Sequence, residues 1–186
     1  MAIEEPQFTI EKKAKDYEIR SYGPTLVAET LVEGSFEEAG NKAFRVLADY
    51  IFGNNRSQAQ IEMTAPVSQQ SQSEKIAMTA PVSQVSSRNG FLIQFMMPAK
   101  FNMETIPQPN DPRVQLREIP PRRVVVYRYT GSWSESRYRE KLLRFKELLE
   151  KDGLQVQGEP VWARFNSPFS IWFLRRNEIW FEVKNP

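Results

Sequence analysis

Apolar residues recur at spacings of three and four in two stretches of the chain, and each stretch predicts an amphipathic helix. The first carries Phe36, Ala39, Ala43, Leu47, Tyr50 and Ile51 and stops near Gly53-Asn54; the second carries Tyr138, Leu142, Phe145 and Leu149 on one face and stops at Gly153. Both are preceded by Ser-x-x-Glu, the pattern in which serine caps the third helical amide and glutamate reaches back to the serine amide. Ser35 with Glu38, and Ser132 with Glu135, are therefore predicted capping boxes.

Strands are expected before each helix. Tyr17 to Tyr22 runs into the turn signal Gly23-Pro24, and Val114 to Ile119 runs into Pro120-Pro121, with a second strand after each turn. Further strands are expected at Phe91 to Met97, Val161 to Phe165 and Ile179 to Val183, where β-formers cluster or alternate with polar residues. Displaced on itself, the chain aligns Arg20 with Arg117, Pro24 with Pro121, Gly34 with Gly131, Ser35 with Ser132 and Glu38 with Glu135. Pro107 to Pro112 reads as the loop joining the halves. A small sheet with one helix exposes too much apolar surface to stand alone, so the halves should share one core. The expectation is a single α+β domain over residues 1–186, with pseudo-twofold repeats at about 17–97 and 114–186.

The tract Ile-Glu-Met-Thr-Ala-Pro-Val-Ser-Gln at 61–69 recurs as Ile-Ala-Met-Thr-Ala-Pro-Val-Ser-Gln at 76–84. Alanine before proline is biased toward extended backbone, and Pro66 and Pro81 each remove a ladder donor. Both tracts should be edge strands or strand ends. Met63 and Met78 then sit at equivalent places, where a thioether can touch a flat apolar ligand or fill a core gap.

Composition narrows the chemistry. Twenty-five basic and 23 acidic residues leave a net charge of +2, which implies neither nucleic acid nor an anionic membrane as partner. There is no cysteine and no histidine, which removes disulfides, thiolate metal sites, cysteine nucleophiles and the commonest general base. No apolar run is long enough for a transmembrane helix, and the start lacks a signal peptide's pattern, so a soluble cytoplasmic protein is expected.

Several motifs in order give the chain a resemblance to the SOUL haem-binding family. They are Tyr17-Glu18-Ile19-Arg20, the two Met-Thr-Ala-Pro-Val tracts, Phe95-Met96-Met97-Pro98, Pro109-Asn110-Asp111-Pro112-Arg113-Val114, Gly131-Ser132-Trp133, Trp162-Ala163-Arg164-Phe165-Asn166 and Phe173-Leu174-Arg175-Arg176-Asn177-Glu178. The resemblance spans about Tyr17 to Val183. It implies a barrel-like antiparallel β-sheet flanked by two long helices, and non-covalent binding of haem or a related tetrapyrrole in an apolar cleft beside the first helix and a late loop. Carried onto this sequence, the cleft takes Ala39, Ala43, Phe44, Leu47, Ala48 and Ile51 on one side, with Phe165, Pro168, Phe169, Trp172 and Phe173 opposite. Lys42, Arg45, Arg175 and Arg176 are the rim cations for propionates.

The sequence departs from the histidine ligation associated with some members of that family. With no imidazole, iron would be held by methionine or tyrosine or not at all, and Asp49 on the first helix would repel a propionate. The expected function is a carrier or buffer of tetrapyrroles with no catalytic residues. Two alternatives remain open: an enzyme acting on tetrapyrroles through carboxylates such as Glu29 or Glu62, and an effector or interaction module that adds a partner strand at the repeated tracts.

Overall fold

Nine strands pair antiparallel in one half-barrel sheet among the described residues, which in this computed structural model are 3–57, 73–166 and 170–183. In chain order the elements are β1 (Phe8–Lys13), β2 (Glu18–Tyr22), β3 (Thr25–Val32), α1 (Phe36–Ile51), β4 (Asn55–Arg56), β5 (Val82–Ser87), β6 (Gly90–Met96) and β7 (Gln108–Pro109). They continue with β8 (Gln115–Ile119), β9 (Arg122–Thr130), α2 (Glu135–Lys151), β10 (Val156–Arg164), a 3-10 turn (Trp172–Leu174) and β11 (Arg176–Val183). The large sheet runs β1-β2-β9-β11-β10-β5-β6-β3-β8, while β4 and β7 form a separate two-stranded ribbon.

Strand alternation divides the core into faces. In β9, Val125, Tyr127 and Tyr129 join the cluster beneath α2, whereas Val124 and Val126 join Tyr22, Ala163 and Trp180 on the opposite face. α1 lays Ala39, Ala43, Leu47 and Ile51 on Leu26, Ala28, Ile93 and Phe95. Phe36, at the start of α1, stacks on Trp162 at 4.6 Å and on Tyr138 of α2 at 5.2 Å, so one ring ties both helices to the sheet.

The capping box at α1 is present: Ser35 Oγ accepts from Glu38 N at 3.4 Å, and the Glu38 carboxylate accepts from Ser35 N at 3.3 Å. The box expected at Ser132 is corrected. Ser134 is the N-cap of α2 and makes no side-chain cap bond, while Ser132 Oγ lies 3.2 Å from Ser134 Oγ.

The second Met-Thr-Ala-Pro-Val tract ends where β5 begins at Val82, so Pro81 stands just outside the ladder. β5 is interior, between β10 and β6, and the sheet's edges are β1 and β8. This copy therefore offers no free edge to a partner strand. The first copy, with Met63 and Glu62, lies outside the described residues.

Candidate functional site

An apolar cleft of about 310 Å³ opens where the N-terminal half of α1, the approach to β5 and the end of β10 meet. The helix contributes Gly40, Asn41, Phe44 and Arg45, and the approach to β5 contributes Met78, Thr79, Ala80 and Val82. Trp133, the run Arg164-Phe165-Asn166 and Ile3 complete the wall. Helical periodicity explains the first group: positions 40, 41, 44 and 45 form a stripe beside the one that packs on the sheet. Thr79 Oγ donates to Met96 O, and Ala80 N donates to Glu4 O at 2.9 Å, which fixes the Met78–Ala80 segment against β6 and the N-terminal segment.

The electrostatics of the cleft are one-sided. Arg45 and Arg164 line it, and no aspartate or glutamate does among the described residues. The Arg164 guanidinium lies 3.9 Å over the Trp162 ring and 5.4 Å from that of Trp133. Its Nη2 donates to Gln84 Oε1 at 2.8 Å, and Gln84 in turn donates to Phe36 O at 3.0 Å. The Arg164 Nε and the indole Nε1 of Trp133 are buried without an acceptor among the described residues. Burial lowers the Arg164 pKa to about 10, against smaller opposing effects of Tyr129 and Glu37. It has no carboxylate within ion-pair distance among the described residues.

Of the residues singled out from the sequence, Phe44, Arg45 and Phe165 line this cleft. Arg175 is not part of the cleft wall, and its guanidinium lies 4.3 Å over the ring of Trp133, which is. Arg176 stacks 3.6 Å over Phe165 and pairs with Glu5 and, at 3.7 Å, with Glu178, so its charge is engaged within the protein. Ala39, Ala43, Leu47 and Ile51 are sealed in the core under α1, and Ala48 is buried away from the cleft wall. Lys42 is exposed, with Nζ 3.5 Å from Glu33 O, in a separate polar groove that also holds Asp49, Asp111 and Arg113. Trp172 and Phe173 are 59% and 54% exposed, edge to face at 5.6 Å, and do not belong to the cleft wall. Pro168 and Phe169 lie outside the described residues.

The sequence reading did not select Gly40, Asn41, Thr79, Ala80, Val82, Trp133, Arg164 or Asn166. The signal was available for part of this set, because Gly131-Ser132-Trp133 and Trp162 to Asn166 were among the motifs of the resemblance, and Met78 had been noted as a possible ligand contact. Glu29, considered as an acid or base, is buried and accepts from Gln94 at 2.8 Å and Arg117 at 3.0 Å, away from the cleft. Among the described residues no group of three or more acidic, histidine or cysteine side chains could hold a metal ion, and no helix is long and apolar enough to cross a membrane.

Fold and cleft together define an α+β half-barrel that carries an apolar, arginine-bearing cleft against its first helix. The chain belongs to the SOUL heme-binding protein family, whose profile matches residues 3–182. It is 30% identical over 172 residues to human heme-binding protein 2, covering 91% of this chain and 78% of that protein. The mouse heme-binding protein 2 is 29% identical over 179 residues, covering 95% and 82%. Among solved structures, the EcmrR C-terminal domain matches with a TM-score of 0.61 at 12% identity, covering 91% of this chain and 98% of that domain. A Listeria innocua protein described as a hydrolase matches at 0.55 and 11% identity, with 94% of each chain covered. At these identities the structural likeness concerns the fold alone.

Proposed function

We propose that this protein binds haem or a related tetrapyrrole non-covalently in the cleft beside α1, as a carrier or buffer, with no histidine bond to the metal. The observation that carries the reading is an apolar cleft with arginines and no acids in its described wall, in a member of a haem-binding family. A tetrapyrrole joins a flat apolar ring to anionic side chains, and the cleft offers the complement of both. Its volume is near the low end of the ~300–1,000 Å³ usual for ligand sites, so part of the ring stands out past Ile3 and Met78, both well exposed. Burying a few hundred Å² of ring surface at roughly 25 cal/mol/Å² supplies several kcal/mol before ordering costs, enough for micromolar binding. Met78 lines the cleft wall, so its thioether is the side chain to test for a bond to iron.

The two halves read as duplicated ββα-type units within one domain. Gly34 and Gly131, equivalent in the self-alignment, share a positive φ of 128° ahead of their helices, which supports that reading.

The test is parallel titration with ferric haem and metal-free protoporphyrin, following the Soret band and quenching of the four tryptophans. Saturation with similar affinities is expected. A strong preference for haem that Met78→Ala abolishes would show iron ligation by the thioether instead. No saturation with either at about tens of micromolar would refute tetrapyrrole binding.

A further inference from the structure

We infer that Arg164, with Trp133 beside it, is the anchor for an anionic carboxylate of the cleft's ligand, and so selects acidic over uncharged tetrapyrroles. The inference rests on the tetrapyrrole reading above and names the subsite that sets its specificity.

Three observations converge on Arg164. A guanidinium held away from water is ordinarily balanced by a carboxylate, since breaking such a pair leaves a costly buried charge. Here the contacting neighbours are two indole rings and the neutral Gln84 amide, with Glu37 acting from beyond ion-pair distance, so the charge is stacked and oriented but not directly paired. Second, Arg164 Nε is buried without an acceptor among the described residues, so the protein's own groups leave this guanidinium under-paired. A ligand carboxylate is acceptor-only and pairs with a guanidinium through its terminal nitrogens. Third, α1 makes room for this side chain: a Cβ at Gly40 would lie 3.1 Å from both Nη1 and Nη2 of Arg164. The residue placed inside the helix at the point of approach is the one with no side chain.

Other cations serve less well. Arg176 is committed to Glu5 and Glu178, and Lys42 lies in the polar groove with Glu33 and Asp49. Arg45 lines the cleft but is exposed, so water screens its pull on an anion.

The experiment compares protoporphyrin IX with its dimethyl ester, which has the same ring and no charge, by tryptophan quenching on the wild-type protein and on Arg164→Gln, Arg164→Lys and Arg45→Gln. The wild type is expected to prefer the free acid, and Arg164→Gln to weaken the acid roughly tenfold or more while changing the ester little. Arg164→Lys should recover part of the loss, and Arg45→Gln should cost less than Arg164→Gln. Equal binding of acid and ester by the wild type overturns the assignment and leaves the cleft reading intact, and this arm needs no variant to fold. Acid preference that survives in a folded Arg164→Gln protein also overturns it. Binding of neither compound overturns both readings together.

Discussion

Gly40 and Arg164 share one space: the hydrogen of the glycine faces the terminal nitrogens of the arginine at a distance that a Cβ would close to 3.1 Å. An interior glycine costs a helix about 1 kcal/mol relative to alanine. The helix accepts that cost where β10 delivers its guanidinium to the cleft.

Gly40→Ala separates the two roles of this position. Helix propensity favours alanine, and the contact disfavours it by pushing Arg164 off its place over Trp162. The expected result is a stability change within about 1 kcal/mol by chemical denaturation, together with weaker binding of protoporphyrin IX and unchanged binding of its dimethyl ester. Loss of both ligands in equal measure would mean that the helix itself had shifted.

Asn41→Asp places a carboxylate in a wall whose described residues include no acid, with almost no change of shape. Asn41 is exposed, so folding should be unaffected, and the acidic porphyrin should bind several-fold more weakly through like-charge repulsion that added salt relieves. Titration at low and high ionic strength reads this directly. An effect insensitive to salt would place the porphyrin carboxylates elsewhere.

The two helix starts should respond differently to alanine. Ser35→Ala removes half of a complete capping box and is expected to cost about 0.5–2 kcal/mol, seen as a lower denaturation midpoint with an unchanged slope. Ser132→Ala lies outside α2 and touches Ser134 alone in this respect, so its cost should fall within about 0.5 kcal/mol.

Tyrosine ionisation will report on the core. Burial raises Tyr17 and Tyr22 to about 12, with the Asp152 carboxylate adding to the effect at Tyr17 and Arg20 opposing it at Tyr22. Burial raises Tyr50, Tyr129 and Tyr138 further. A raised folded-state value means that the native protein holds the proton more tightly than the unfolded chain. The associated stability is intact below the ordinary phenol value of about 10 and is lost as pH climbs from there through about 12. Phenolate absorbance against pH should therefore show most of these groups appearing late and together with loss of native circular dichroism. Ordinary titration near 10 with structure retained would contradict their burial.

Much of the framework could be read from side-chain spacing. The face of α1 follows from its three-four periodicity, and Ala39, Ala43, Leu47 and Ile51 all pack on β3 and β6. The same regularity pointed away from the cleft, because the stripe most apolar in sequence is the one the sheet consumes. The cleft uses the neighbouring stripe of Gly40, Asn41, Phe44 and Arg45, which looks mixed and unremarkable in a one-dimensional pattern. At α2 the run Ser132-Trp133-Ser134-Glu135 contains two serines, and spacing alone favoured the wrong one; the backbone at Ser134, with φ of −72° and ψ of 146°, makes it the cap.

Strands were lost where polarity hid them. β1 is exposed along its whole length and has no buried face to set a period. β5, expected from the repeated tract only as an edge strand or strand end, reads Val-Ser-Gln-Val-Ser-Ser and is interior: Ser83 and Gln84 are buried because Gln94 and the Phe36 carbonyl satisfy them from other elements.

By itself, then, the sequence determined two amphipathic helices, most of the strands, the absence of imidazole and thiolate chemistry, and a resemblance to one family, all properties written in residue type and local spacing. Only the tertiary structure decided which helix stripe lines the cleft, and it alone set Arg164 against Trp133, Trp162 and Gly40. Those residues come from β10, the segment just before α2 and the N-terminal half of α1. Their meeting is a consequence of long-range antiparallel pairing, which no local periodicity encodes.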